Sequence, residues 1–198
     1  MMAQRQTGTW SLTPRVGVNS SCMSVEDMYV DTSENHKASA KHKWGFVGGL
    51  DAEYQTQQQV GISVGMFYSN EGYTYGEVAD IGKITQTTHY LNVPVLVNFY
   101  IEPDMLPGLA LKAGVQLGYL MKAKFSDGLG SYSRGDNTDS FKHVNLSIPA
   151  GISYTYHNFE ADLRYNIGVT NVCKNVAGTD WSWKTNSLWL TLGYRFGL

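Results

Sequence analysis

Along most of this chain apolar and polar side chains alternate with period two, and no stretch sustains the three-to-four-residue spacing of an amphipathic helix. Residues 159–169 show the pattern most cleanly. Phe159, Ala161, Leu163, Tyr165, Ile167 and Val169 share one face, and Glu160, Asp162, Arg164, Asn166 and Gly168 share the other. The end of the chain repeats it, with Leu188, Leu190, Leu192, Tyr194, Phe196 and Leu198 opposite Ser187, Trp189, Thr191, Gly193, Arg195 and Gly197. Successive side chains of a strand point to opposite faces, so each such segment is a two-faced ribbon. Segments of this kind at residues 10–19, 43–54, 60–69, 89–101, 109–122, 143–156, 159–169 and 187–198 predict eight strands. Each is about as long as the roughly 9 to 11 residues that a tilted membrane strand needs.

The predicted links alternate in length. Residues 55–59, 102–108 and 157–158 are short connections, whereas 20–42, 70–88, 123–142 and 170–186 are long and polar. Outer-membrane barrels have short periplasmic turns and longer external loops. This asymmetry therefore predicts one barrel domain over residues 1–198, with both chain ends on the periplasmic side and residues 1–8 as a periplasmic segment.

Volume decides which face points inward. A soluble barrel would place the apolar set inside, but an eight-stranded barrel has an interior only just wide enough to be filled by side chains. Five or six large apolar groups from every strand cannot fit there. The opposite set is rich in small residues, among them Gly17, Gly49, Gly65, Gly114, Gly151 and Gly193, as a narrow lumen requires. The apolar face must then point outward, and lipid is the solvent that accepts it. The expected fold is all-β, a closed eight-stranded antiparallel transmembrane β-barrel, integral to the outer membrane of a Gram-negative bacterium.

Composition excludes other classes. A net charge of −2 leaves no electrostatic footprint for nucleic acid, and no run of 18 apolar residues is present to form a membrane-spanning helix. Residues 1–4 lack the basic and apolar regions of a secretion signal. The reading taken is a mature form whose leader has been removed.

The inward set carries Arg15, Asp51, Glu53, Lys112, Gln116, Glu160, Asp162, Arg164 and Arg195. Charges in a narrow, largely dry lumen must pair, since an unpaired one costs several kcal/mol. Arg15, Asp51, Glu53, Lys112, Glu160, Asp162, Arg164 and Arg195 are therefore expected to form a structural network rather than an ion path. Trp10, Trp44, Tyr54, Tyr68, Tyr100, Tyr119, Tyr154, Tyr156 and Tyr194 fall near strand ends, where interfacial girdles belong. Cys22 and Cys173 follow the outer ends of the first and seventh strands, which only the eighth separates. They are a candidate disulfide, the alternative being two thiols in separate loops.

At the outer rim Tyr132, Trp181 and Trp183 suit contact with carbohydrate or protein, or else packing of the last loop onto the barrel mouth. Arg134, Gly135 and Asp136 spell an adhesive tripeptide that turn propensity explains better. His36 and His42, among Lys37, Lys41 and Lys43, suit a metal or anionic lipopolysaccharide, but a solvated basic loop explains them better. No spacing singles out a nucleophile, base and orienting acid. No catalytic, metal-binding or cofactor-binding residue is assigned, and no cofactor is expected.

Tyr90-Leu91-Asn92-Val93-Pro94-Val95-Leu96, the Gly114-to-Tyr119 stretch, Asp162-Leu163-Arg164-Tyr165-Asn166-Ile167-Gly168-Val169-Thr170-Asn171 and the closing Gly193-Tyr194-Arg195-Phe196 resemble the porin-family, PorT-like outer-membrane barrels of the Bacteroidota. The likeness spans nearly the whole chain. One departure is that Gly197 and Leu198 follow the aromatic that usually ends such barrels. The resemblance implies an envelope protein, while a filled lumen at eight strands argues against an open pore. The expected function is non-enzymatic: binding of a partner or ligand by the external loops, or support of the envelope. Expected partners are outer-membrane lipid, lipopolysaccharide and another envelope protein. The alternatives are an enzyme at the rim acting on lipid or peptide, and a narrow porin-like channel.

Overall fold

The computed structural model describes residues 7–26, 40–78, 82–101, 106–126, 135–136, 142–171 and 182–198. The alternating segments become eight long strands: β1 (Trp10–Glu26), β2 (Ala40–Gln57), β3 (Val60–Val78), β4 (Gly82–Tyr100), β5 (Leu109–Ser126), β7 (Val144–Tyr156), β8 (Phe159–Gly168) and β9 (Ser182–Tyr194). Two short pieces join them, β6 (Gly135–Asp136) beside β5 and β10 (Phe196–Gly197) beside β1. Each long strand pairs antiparallel with the next, and β1 also pairs with β9 from Arg15↔Gly193 to Glu26↔Ser182. The sheet thus closes on itself, and closure removes the exposed strand edges that lipid would not tolerate.

Parity behaves as the volume argument requires. Val16 and Val18 on β1, Ile62, Val64 and Met66 on β3, Leu111, Val115 and Leu117 on β5, and Leu188, Leu190 and Leu192 on β9 are all exposed on the outer wall. Their sequence neighbours are buried in the lumen. Toward the end of the barrel away from the chain termini, this outward apolar band finishes at Tyr68 on β3, Leu91 on β4 and Met121 on β5. Beyond these residues the outward positions turn polar, with His89 and Lys122.

Several strands run further than their apolar pattern. Of residues 70–88, read from sequence as a long loop, 70–78 and 82–88 instead continue β3 and β4 as a paired ladder from Glu71↔Thr88 through Tyr75↔Ile84 to Val78↔Gly82. β1 likewise continues past residue 19 to Glu26, and β2 begins at Ala40. Outside hydrocarbon neither face of a strand has to be apolar, so alternation fades while backbone pairing goes on. Thr74, Thr85, Thr87 and Thr88, with β-branched side chains, favour it.

At the other end the turns are tight. His157 and Asn158 join β7 to β8, and His157 takes a positive φ of 54°, as the favoured two-residue hairpin turn demands. The Asn158 side chain donates to the Arg195 carbonyl at 2.8 Å, and the Arg195 amide donates to the Asn158 carbonyl at 2.7 Å. Gly108, with φ 88°, enters β5 where a Cβ would lie 2.2 Å from the Thr155 carbonyl oxygen. Only glycine fits that approach.

Pro94 and Pro149 lie inside strands, where proline removes a ladder donor. Each keeps its pairing on one side, Pro94↔Gln116 and Pro149↔Asn166. On the other side the ladder passes from Val64↔Val95 to Phe67↔Asn92, and from Ala113↔Ala150 to Gln116↔Ser147. By this register each proline sits across from a glycine, Gly65 or Gly114.

Candidate functional site

The lumen holds a candidate site whose side chains are all among the described residues. Arg15 comes from β1, Asp51 and Glu53 from β2, Lys112 from β5, and Glu160, Asp162 and Arg164 from β8. Arg195 follows β9 at the break before β10. All are buried except Arg195, whose side chain is 15% exposed.

These eight groups form one connected chain of ion pairs. Arg195 Nη2 lies 2.7 Å from Glu53 Oε1 and its Nη1 lies 3.9 Å from Glu160 Oε2. Glu160 Oε1 accepts from Lys112 Nζ at 2.6 Å and from Arg15 Nη2 at 2.9 Å. Arg15 Nε reaches Asp51 Oδ2 at 2.5 Å. Lys112 bridges onward to Asp162 Oδ2 at 3.0 Å, and Arg164 Nη2 closes on the same oxygen at 3.3 Å. The four cations balance the four carboxylates, so the set is neutral when fully ionised. Neutral residues complete it: Tyr100 Oη donates to Glu53 Oε1 at 2.5 Å, and Asn98 Nδ2 donates to Glu53 Oε2 at 2.8 Å and to Ser63 Oγ at 3.1 Å.

Glycines make these contacts sterically feasible. Arg15 and Glu160 are both register partners of Gly193, and Lys112 and Arg164 are both partners of Gly151. Partners two strands apart are separated by roughly 10 Å of backbone, and long side chains span that gap only if the position between them is empty. A Cβ at Gly193 would lie 2.8 Å from Arg15 Cγ, and one at Gly65 would lie 2.4 Å from Asp51 Oδ1.

Beyond the charges, the lumen is crossed by an apolar layer of Val47, Phe67 and Trp189, all essentially inaccessible. The Phe67 and Trp189 rings lie 5.8 Å apart. The Arg164 guanidinium stands 5.7 Å from the Phe67 centroid and 6.0 Å from the Trp189 centroid, within cation–π range. Farther from the termini a second polar tier follows. Ser69 Oγ donates to Glu71 Oε1 at 2.9 Å, Asn92 Nδ2 donates to Ser69 Oγ at 2.8 Å, and Lys43 Nζ donates to Asn70 Oδ1 at 2.8 Å. Burial pushes the Glu71 carboxyl above the ordinary carboxylate range, and hydrogen bonds from Ser69 and Ser187 partly offset this.

Tyr100 corrects the girdle expected from sequence. It is buried, because Val97 and Phe99 take the outward positions of β4 and parity turns Tyr100 inward. Trp10, Trp44, Tyr54, Tyr68, Tyr119, Tyr154, Tyr156 and Tyr194 are exposed on the outer wall. Phe67, Trp189 and Glu71 were not singled out as site residues beforehand. Parity alone places the first two inside, whereas Glu71 was assigned to a loop. Of the remaining candidates, Tyr132, Trp181, Arg134 and Cys173 lie outside the described residues, as do His36 and Lys37. Trp183 pairs through its backbone with Val25 of β1. Among the described residues no group of three or more His, Cys, Asp or Glu is placed to hold a metal ion.

A closed eight-stranded barrel with an apolar outer wall and a lumen lined by buried polar and charged side chains is a small integral outer-membrane protein. The sequence profile of the outer membrane protein beta-barrel domain matches residues 2–174, and the chain belongs to that family. Among solved structures it is similar to Ail, the attachment invasion locus protein of Yersinia pestis, crystallised in complex with the heparin analogue sucrose octasulfate. The two are 21% identical with a TM-score of 0.52, over 96% of this chain and 100% of that one. It is also similar to Neisserial surface protein A, at 12% identity and a TM-score of 0.52, over 94% of this chain and 97% of that one. At such identities the likeness concerns the fold. No curated protein matches this chain.

Proposed function

We propose that this barrel, of the porin-family, PorT-like kind, is non-catalytic and works through its outer surface, binding a partner or ligand there and supporting the envelope. Its lumen serves as a structural core. The observation that supports this reading is that a neutral ion-pair chain and the Val47, Phe67 and Trp189 layer both lie buried within the lumen. A barrel that passes nothing through its centre has only its two ends and its lipid-facing wall with which to act. The end away from the termini is taken as external, and lipopolysaccharide or another envelope protein as its contact. The complex of Ail, a barrel of the same fold, with a heparin analogue supports a ligand for this chain.

The test is reconstitution of the full chain in planar bilayers. The closed lumen predicts no stepwise conductance, and Phe67→Ala combined with Trp189→Ala is expected to introduce it. Open-channel steps from the unaltered protein would overturn the reading in favour of a narrow channel. Turnover of extracted lipid or of peptide by the unaltered protein would favour an enzyme at the rim instead.

A further inference from the structure

Positive charge gathers on one wall of the barrel, just beyond the apolar band. On β5 the outward residues run Leu117, Tyr119, Met121 and then Lys122 and Lys124, all exposed. The step to lysine coincides with an irregularity in the ladder. Tyr90 pairs with Leu120 and His89 with Lys122, so Met121 is an extra residue. Such a bulge re-aims the side chains that follow it. Here it leaves Met121 and Lys122 both exposed, and Lys122 comes to lie across from His89. Thr87 faces Lys124 one step further on. On the other flank His143 stacks on Tyr119 with centroids 6.0 Å apart, and Lys142 beside it is exposed. The Tyr68 hydroxyl lies 2.6 Å from His89 Nδ1.

Among the described residues, the charges that act on His89 are cationic. Burial first, and then the charges of Lys124, Lys43 and Lys122, hold His89 below the ordinary histidine range. Asp136 of β6 pairs through its backbone across from Lys124. The opposite wall is different at this height: β1 and β9 present Ser20, Cys22 and Asn186, with Lys184 beyond them. The height also matters. At a rise of about 3.3 Å per residue, Lys122 and Lys124 follow Met121 by roughly 3 and 10 Å of strand. This lies within reach of a headgroup layer some 5 to 8 Å thick on each leaflet.

We propose that Lys122, Lys124 and Lys142 form a sideways-facing site for the phosphate groups of an outer-leaflet lipid, with Tyr119 and His143 as its flank. The proposal rests on the placement of this end of the barrel at the cell surface. It names a lipid rather than a soluble anion because the three lysines border the apolar wall. A phosphate carried on acyl chains is held at that height by its own tails, while the chains lie along Leu117 and Met121.

The test uses the folded full chain in a non-ionic maltoside, with two probes: lipid A bearing two phosphates, and the same lipid with both removed. At about five-fold per lysine, the phosphorylated form is expected to bind roughly 100-fold more tightly. Replacing all three (K122Q, K124Q, K142Q) is expected to bring the ratio below about three, while K184Q on the opposite wall retains it. Heat-modifiable migration confirms folding. Should the triple variant not fold, K122Q and K124Q singly are each expected to lower the ratio about five-fold. A ratio near one for the unaltered chain, or an unchanged ratio in a folded triple variant, would overturn the proposal. So would displacement of the lipid by millimolar inorganic phosphate, which would mark a site for soluble anions. Neither result bears on bilayer conductance, so this proposal and the closed-lumen reading fail separately.

Discussion

Glu160 is the residue on which the lumen network turns, and Glu160→Gln is its most informative perturbation. One carboxylate meets three cations, Lys112 at 2.6 Å, Arg15 at 2.9 Å and Arg195 at 3.9 Å, with its side chain 1% exposed. The substitution keeps volume and most hydrogen-bonding capacity but removes one charge, leaving four cations against three carboxylates. An exposed ion pair contributes at most about 1 kcal/mol, and loss of such a pair would hardly register. Removing one partner of a buried pair costs about 3–5 kcal/mol, because the charge left behind is neither solvated nor compensated. With an unfolding slope of about 2 kcal/mol per molar urea, the midpoint should fall by about 2 M. The assay is equilibrium urea unfolding of the chain folded into lipid vesicles, followed by tryptophan fluorescence. Lys112→Met added to Glu160→Gln restores the charge balance and should recover part of the loss, giving a coupling well above the few tenths of a kcal/mol expected for independent sites. A loss under about 1 kcal/mol for Glu160→Gln, with no coupling, would show that the lumen is wet enough to screen these charges.

Three further outcomes follow from the same geometry. Arg164→Ala should lower the urea midpoint, since it leaves Asp162 with one cation and strips the cover from Phe67 and Trp189; unchanged folding in detergent would count against the network. Glu71→Gln should stabilise the barrel at pH 7: burial raises the Glu71 pKa, so the unmodified protein gains from this group in acid and loses that gain as the pH rises through the folded pKa. Unfolding of the two forms at pH 5 and pH 8 checks the sign. If Cys22 and Cys173 are joined, the chain will migrate differently in denaturing electrophoresis with and without reductant, and equal mobility would exclude the bridge.

Strand number, parity and the choice of outward face were legible because they rest on the period of two and on volume, and both act on every strand alike. Strand length was not. The apolar pattern reports where hydrocarbon is, and it stops at Tyr68 and Leu91, whereas the ladder continues to Val78 and Gly82. Tyr100 was misplaced for a related reason: nearness to a strand end suggested the girdle, but the parity set by Val97 and Phe99 overrode it. The bulge at Met121 was not legible either, because an extra residue declares itself only through the partner strand.

The same distinction explains the lumen. That Arg15, Lys112 and Glu160 face inward follows from one strand at a time, but which charge meets which depends on register across three strands. The deciding residues are ones that carry no charge. Gly193 lies between Arg15 and Glu160, and Gly151 lies on the strand that Lys112 crosses to reach Glu160 and Asp162 of β8, so each glycine is a gap through which a side chain crosses to its partner two strands away. A larger residue at Gly193 would contact Arg15 Cγ directly and close that lane. An isolated strand sequence shows such a glycine only as a weak point for β structure. Read across the barrel, it sets the pairing, because a charge held in a dry bore must have its partner within reach and the backbone spacing leaves no other route.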